Sequence, residues 1–354
     1  MRRIPVGILG ATGMVGQRFI QLLADHPWFE VKALAASDRS AGKRYADSCR
    51  WILPRPMPEG VGHLVLQPLE AETATGLDCR LVFSALPSSV AGPIEEALAR
   101  AGYAVCSNSA PHRLDPDVPL LVPEVNFGHT ALIAEQRLRR GGEGFIVTSA
   151  NCSTTELVLA LKPLQQAFGL RRIFVVTLQA ISGAGYPGVP APDILGNVIP
   201  FIDGEEDKIE RESRKLLGGL GNGGVREAAF TLSAQCNRVP VADGHTECVS
   251  VEFDLRPALE EILAALRDFK SPPETSELPG SPAQPILVRP ESDRPQPVRD
   301  CQAGEGMAVS VGRVRPCPLL HYKFVVLGHN TVRGAAGGAI HNAELLVAQK
   351  WITP

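Results

Sequence analysis

Ile8-Leu9-Gly10-Ala11-Thr12-Gly13-Met14-Val15-Gly16-Gln17 is the end of an apolar strand. It runs into G-x-x-G-x-x-G and then into a helical pattern of Phe19, Ile20, Leu22 and Leu23. Glycine at such a corner permits a tight turn and lets the backbone approach a pyrophosphate, which then sits on the helix N-terminus. The strand–turn–helix context predicts an α/β chain opening with a Rossmann-type dinucleotide-binding domain, with Gly10 at the turn. The plainer reading is a glycine-rich packing turn that binds nothing.

The next strand, Val31 to Ala36, ends in Ser37-Asp38-Arg39-Ser40-Ala41-Gly42-Lys43. An NAD enzyme offers an acid to the ribose hydroxyls at this place. Asp38 is such an acid, but the hydroxyls and cations around it suit a 2′-phosphate, so NADP is expected over NAD. Leu81 to Ser89 is a buried strand that ends in a loop of small residues. At the carboxyl edge of a parallel sheet such a loop borders a dinucleotide, with Ser84 and Leu86 as its candidates. Arg113 follows as a candidate anion contact, against the plain reading of a solvated loop arginine.

Ser149-Ala150-Asn151-Cys152-Ser153-Thr154-Thr155 joins a strand-like run (Phe145, Ile146, Val147) to a helical pattern of Leu157, Leu161 and Leu164. Ser149 or Asn151 can cap that helix, placing Cys152 at its first turn. Free N–H groups and the helix dipole there favour a thiolate and could hold an oxyanion. Taken alone, a small apolar cysteine in a turn is the better explanation of the residue.

Beyond Cys152 the pattern turns to alternating strands. Arg172 to Ile181 leads into a glycine-rich loop, Ser182 to Gly188, and Glu205 to Lys215 is a mixed-charge helix that reads mostly as a solvated face with i,i+4 pairs. Asp243-Gly244 reads as a hairpin between the strand before Arg238 and the strand after His245. Residues 271–300 are Pro-rich and read as an irregular excursion. Strand patterns Met307 to Val314 and Tyr322 to Leu327 follow, then small residues and a helix, Ile340 to Val347, that returns to the first domain. These observations divide the chain into an NADP-binding domain (1–150), an α+β catalytic and dimerisation domain with a mixed sheet (151–329), and a returning C-terminal helix (330–354).

A chain of 354 residues is long for one core, and its net charge of −3 offers no electrostatic case for nucleic acid or an anionic membrane. Its eight cysteines form no C-x-x-C pair and no Cys/His metal spacing, so no metal site is expected. With no signal-like or membrane-length apolar run, a reducing cytoplasm is the expected compartment.

Taken together, G-A-T-G-M-V-G-Q, S-D-R-S-A-G-K, A-N-C-S-T-T, Q-A-I-S-G-A-G-Y, G-E-E-D-K, N-R-V-P-V-A-D-G-H and N-T-V-R-G-A-A-G, in that order, resemble the aspartate-semialdehyde dehydrogenase family in its archaeal and fungal branch. The resemblance covers nearly the whole chain. It implies that Cys152 is a nucleophile, His245 its general acid/base, and Gln179 the residue orienting the acyl group. It places Arg238 on the substrate α-carboxylate, Glu205 on the amine, Lys208 on phosphate, and Arg113 on phosphate less securely. Thr12, Gly13, Met14 and Val15 would hold the pyrophosphate, Ser37, Arg39 and Ser40 the 2′-phosphate, and Ser182, Gly183 and Asn330 would flank the nicotinamide.

The implied reaction is NADPH-dependent reduction of L-4-aspartyl phosphate to L-aspartate 4-semialdehyde through a Cys152 thioester, by a homodimer or dimer of dimers. It lies on the route to lysine, threonine and methionine. A malonyl-CoA reductase paralogue and N-acetylglutamyl-phosphate reductase are rivals on related chemistry. From another class, so is a catalytically silent NADP-binding protein. The joint presence of Arg238, Glu205 and Lys208 argues for an amino-acid acyl phosphate.

Overall fold

A computed structural model describes residues 3–69, 76–221 and 223–353. The first sheet is built from β1 (Ile4–Leu9), β2 (Phe29–Ala35), β3 (Leu66–Gln67), β4 (Leu81–Ser84), β5 (Ala104–Ser107), β6 (Leu120–Leu121) and β7 (Phe145–Ser149). Its order is β3-β2-β1-β4-β5-β7-β6, and every pairing is parallel. Helices Met14–Leu23 and Ser88–Arg100 cover it, which is why β4, β5 and β7 are buried at every position. The strand order reverses at β1, between β2 and β4. The glycine turn after β1 and the loop after β4 therefore open on one crevice, where open α/β sheets bind nucleotides.

The second sheet contains β8 (Arg172–Gln179), β11 (Thr231–Arg238), β12 (His245–Glu252), β13 (Ile286–Arg289), β14 (Val309–Pro316) and β15 (Tyr322–Gly328); a small ribbon, β9 (Gly219–Gly221) with β10 (Gly224–Arg226), stands apart. Its order is β11-β8-β12-β15-β14-β13, with parallel and antiparallel pairs mixed. Burial alternates along β8 and β11. The inward face packs on helix Cys152–Phe168 through a core that includes Leu157, Leu161, Val175, Val249 and Phe324.

The structure corrects the sequence reading in three places. β11 and β12 do not form a hairpin. They pair with opposite edges of β8, and residues 239–244 cross its end, where the Val241 and Ala242 carbonyls accept from Ile181 and Ser182. Pro240 has no N–H to continue a ladder, and β8 satisfies both neighbours instead. The Pro-rich stretch is not irregular throughout: it contributes β13, paired parallel to β14 at the sheet edge, a place that tolerates flanking prolines. The last helix begins earlier than its pattern suggests, at Gly337, after a π-type turn over Val332–Ala336. Ala339, Ile340, Ala343 and Leu346 of that helix join the core of the first sheet rather than the second. No helix among the described residues is long and apolar enough to cross a membrane.

Candidate active site

Cys152 is the first residue of its helix, and Asn151 is the cap: its side-chain oxygen accepts from the Thr154 N–H at 3.1 Å. The same side chain donates to Glu205 at 2.7 Å, and Gln179, at the end of β8, donates to that carboxylate at 3.1 Å. Lys208, one turn along the helix from Glu205, completes the group at 3.5 Å and remains about one-third exposed. Glu205 thus joins the nucleophile turn, the β8 end and a cation.

Arg238 and His245 reach the same point from opposite sides of β8. Arg238 Nη1 donates to the Ala180 carbonyl at 2.8 Å, and His245 Nδ1 accepts from the Ala180 N–H at 3.0 Å. Gly183 closes over both: a Cβ there would lie 2.8 Å from Arg238 Nη1 and 3.1 Å from His245 Nε2, so a side chain would displace the guanidinium. Asn330 donates to Ser182 Oγ at 2.8 Å and accepts from Gly244 N–H at 2.9 Å, which places Ser182, Gly183 and Asn330 on one rim.

The electrostatics differ from the activated thiolate expected from the helix start. Burial pushes the Cys152 thiol up, with Glu205 and Glu156 adding to it, and the Ser153 amide and Arg113 only partly oppose this. Burial, helped by Arg238 and His329, pushes His245 down to about 3. The resting pair is therefore a thiol and a neutral imidazole. Because Nδ1 accepts a backbone N–H, the ring proton sits on Nε2, which has no hydrogen-bond partner among the described residues.

The remaining candidates separate. Arg113 is buried, with Nη1 2.9 Å from Glu212 and Nη2 on the Asn108 carbonyl at 2.8 Å. Its Nε has no hydrogen-bond partner among the described residues, and Nη1 ties it to the site through Glu212, which accepts the Asn151 N–H at 2.6 Å. The mixed-charge helix is solvated on one face only: Glu206, Asp207 and Arg211 are exposed, the last two as an i,i+4 pair, while Glu205, Glu212 and Lys215 lie on its buried side. Glu212 was hidden in that charge run. Its signal was the i,i+7 spacing from Glu205, two turns along one face.

At the first sheet, Gly10 has φ +77°, and a Cβ on Gly16 would stand 2.3 Å from the Gly10 carbonyl oxygen, so both glycines are required by the turn itself. Gly13 is different. It is exposed, open outward, and caps helix Met14–Leu23 without any side-chain bond, leaving the amides of Met14 and Val15 for a phosphate beside Thr12. Ser37 and Arg39 are exposed and Ser40 half-buried in the loop after β2. These residues fit a phosphorylated dinucleotide. Ser84 does not present its hydroxyl to it: that group donates to Glu95 at 2.6 Å, and Leu86 is buried with its carbonyl accepting from Ser109. The Ser84 hydroxyl and the Leu86 carbonyl are thus spent within the protein, whereas Pro87, Ser88 and Ser89 of the same loop are exposed. Among the described residues, no three His, Cys, Asp or Glu side chains are placed to hold a metal ion.

The chain matches the family model for the semialdehyde dehydrogenase NAD binding domain over residues 5–133 and that for the semialdehyde dehydrogenase dimerisation domain over residues 161–333. It is 51% identical to an aspartate-semialdehyde dehydrogenase of Archaeoglobus fulgidus, covering 99% of this chain and 100% of that one. It is 45% identical to the Saccharomyces cerevisiae enzyme, over 98% of both. The crystal structure of aspartate semialdehyde dehydrogenase with NADP from Candida albicans superposes with a TM-score of 0.90 at 45% identity, covering 99% of this chain and 100% of that one. With both domain models matched and relatives similar from end to end, the chain belongs to the aspartate-semialdehyde dehydrogenase family.

Proposed function

We propose that this protein interconverts L-4-aspartyl phosphate and L-aspartate 4-semialdehyde with NADP, on the route to lysine, threonine and methionine. The observation that carries this reading is the convergence of Arg238 and His245 on Gly183, beside the Asn151–Glu205–Gln179 cluster at Cys152. Arg238 takes the α-carboxylate, Glu205 the α-amine and Lys208 the phosphoryl oxygens. Cys152 Sγ attacks the acyl carbon: a C–S bond forms, the C–O bond to phosphate breaks, and the thiol proton leaves with the phosphate. His245, held with its proton on Nε2, donates a hydrogen bond to the acyl oxygen as charge builds there, together with the amides at the helix start. When bound, the nicotinamide supplies hydride in this direction and accepts it in the other. The Gly13–Val15 turn and the Ser37–Ser40 loop hold its phosphates. As the tetrahedral centre collapses, the C–S bond breaks and the sulfur regains a proton.

The test is phosphate-dependent reduction of NADP by L-aspartate 4-semialdehyde. Turnover that requires phosphate supports the reading, whereas silence here with NADPH oxidation by malonyl-CoA would replace it with the paralogue's reaction.

The same reading makes the protein a homodimer through its second sheet. The outward face carries Phe174, 43% exposed, and the nearby loops present Leu195 at 70% and Phe201 at 68%. This apolar exposure falls within the region that matches the dimerisation-domain model, which supports an interface there. Sedimentation at twice the 37.8 kDa chain mass is expected, and a monomer would refute it.

A further inference from the structure

The segment after β15 does more than supply Asn330. One side of its π-type turn lies on the nucleophile: a Cβ on Gly334 would stand 2.6 Å from Cys152 Cβ and 2.8 Å from its Cα. The other side, through Asn330, bonds Ser182 and the Gly244 amide that leads into His245. One short segment, from Asn330 to Gly334, therefore touches both the backbone of Cys152 and the entry to the His245 strand.

What holds that turn is Arg333, 1% exposed, whose Nη1 and Nη2 lie 2.8 and 2.5 Å from the two oxygens of Glu124. The same carboxylate lies 3.5 Å from His341 Nε2; His341 Nδ1 is 2.9 Å from Glu344, and Glu344 is 2.8 Å from His26 and accepts from the Gly280 N–H at 2.9 Å. Burial lowers His341, but Glu124 and Glu344 outweigh it and hold it up at about 9, so charges alternate from Arg333 through Glu124 and His341 to Glu344 at neutral pH. Every member is buried, and removing one would strand its neighbour's charge. A buried fork is geometrically exacting, which makes it a rigid anchor.

We propose that Arg333 is a positioning residue: anchored by Glu124 in the first domain, it presses the Gly334 turn onto Cys152 and fixes the nucleophile against His245. The inference rests on Cys152 being the nucleophile of the proposed reaction. Arg333 itself is not in contact with the reacting sulfur; it acts through Gly334.

Two substitutions test it. Arg333→Lys keeps the charge and loses the fork. Gly334→Ala leaves the ion chain intact and drives a methyl into Cys152. For both, kcat is expected to fall about 10- to 100-fold while KM for L-aspartate 4-semialdehyde and NADP stays within about twofold, because misplacement acts on the chemical step. Alkylation of Cys152 by iodoacetamide should also shift by at least about fivefold, a readout that needs no substrate and so survives if the proposed reaction is wrong. Should Arg333→Lys fail to fold, Gly334→Ala decides. A folded variant with wild-type kcat and alkylation rate would overturn the proposal. So would failure of both variants to fold, since the chain would then serve only stability.

Discussion

Replacing Cys152 by alanine is expected to cut phosphate-dependent NADP reduction by at least about 10⁴-fold, since removing a covalent nucleophile leaves only binding and oxyanion stabilisation. NADP affinity should stay near wild type, because the glycine turn and the Ser37–Ser40 loop belong to the first domain and leave Cys152 untouched. Residual activity above about 1% would remove the Cys152 thioester from the mechanism. Serine is not a rescue. The site already pushes the Cys152 thiol up through burial and through Glu205 and Glu156, and a hydroxyl starts far higher. The same environment sets the pH behaviour of the free enzyme. With the thiol pushed up, thiolate is a minor species at neutral pH, and alkylation of Cys152 should accelerate about tenfold per unit through neutrality. A plateau below pH 7 would mean that substrate-free Cys152 is already ionised.

That pH behaviour could not be read from the sequence, and the reason is physical. The helix start was legible because capping is local: Asn151 and Thr154 lie three residues apart. The glycine turn was legible for the same reason, since the positive φ of Gly10 and the contact of Gly16 with its carbonyl are made within seven residues. Cys152 acidity depends instead on burial and on Glu205, 53 positions away, and distant charges in a dry site outweigh a local dipole. The Asp243-Gly244 signal failed similarly. It describes a turn that two residues can make, but β8 offers β11 and β12 a full ladder each, and the ladders decide. Arg113 was legible only as a loop arginine, because its partners, Glu212 and the Asn108 carbonyl, include one that is 99 positions away.

Arg238→Leu is the second large effect expected, about 10²–10³-fold in kcat/KM for L-aspartate 4-semialdehyde, or ~3–4 kcal/mol, as for one partner lost from a buried charge pair. The change should appear mainly in KM, because the α-carboxylate is held alike in ground and transition states. Lysine should restore little: Nη1 already donates to Ala180, and only a forked group can keep that bond and still offer parallel donors to a carboxylate. The variant also carries a readout on a second residue. Burial first, and then Arg238, keep His245 at about 3. Removing the guanidinium charge lets His245 rise toward its ordinary 6.5. A ring that gains a proton in this range must give up the Ala180 N–H it accepts, so the leucine enzyme should lose activity on acidification at a higher pH than wild type. An unchanged acid limb with the expected KM loss would mean that burial alone sets His245, with Arg238 acting only on substrate. A wild-type KM would remove Arg238 from substrate binding, and with it the main argument for an amino-acid acyl group over a CoA thioester.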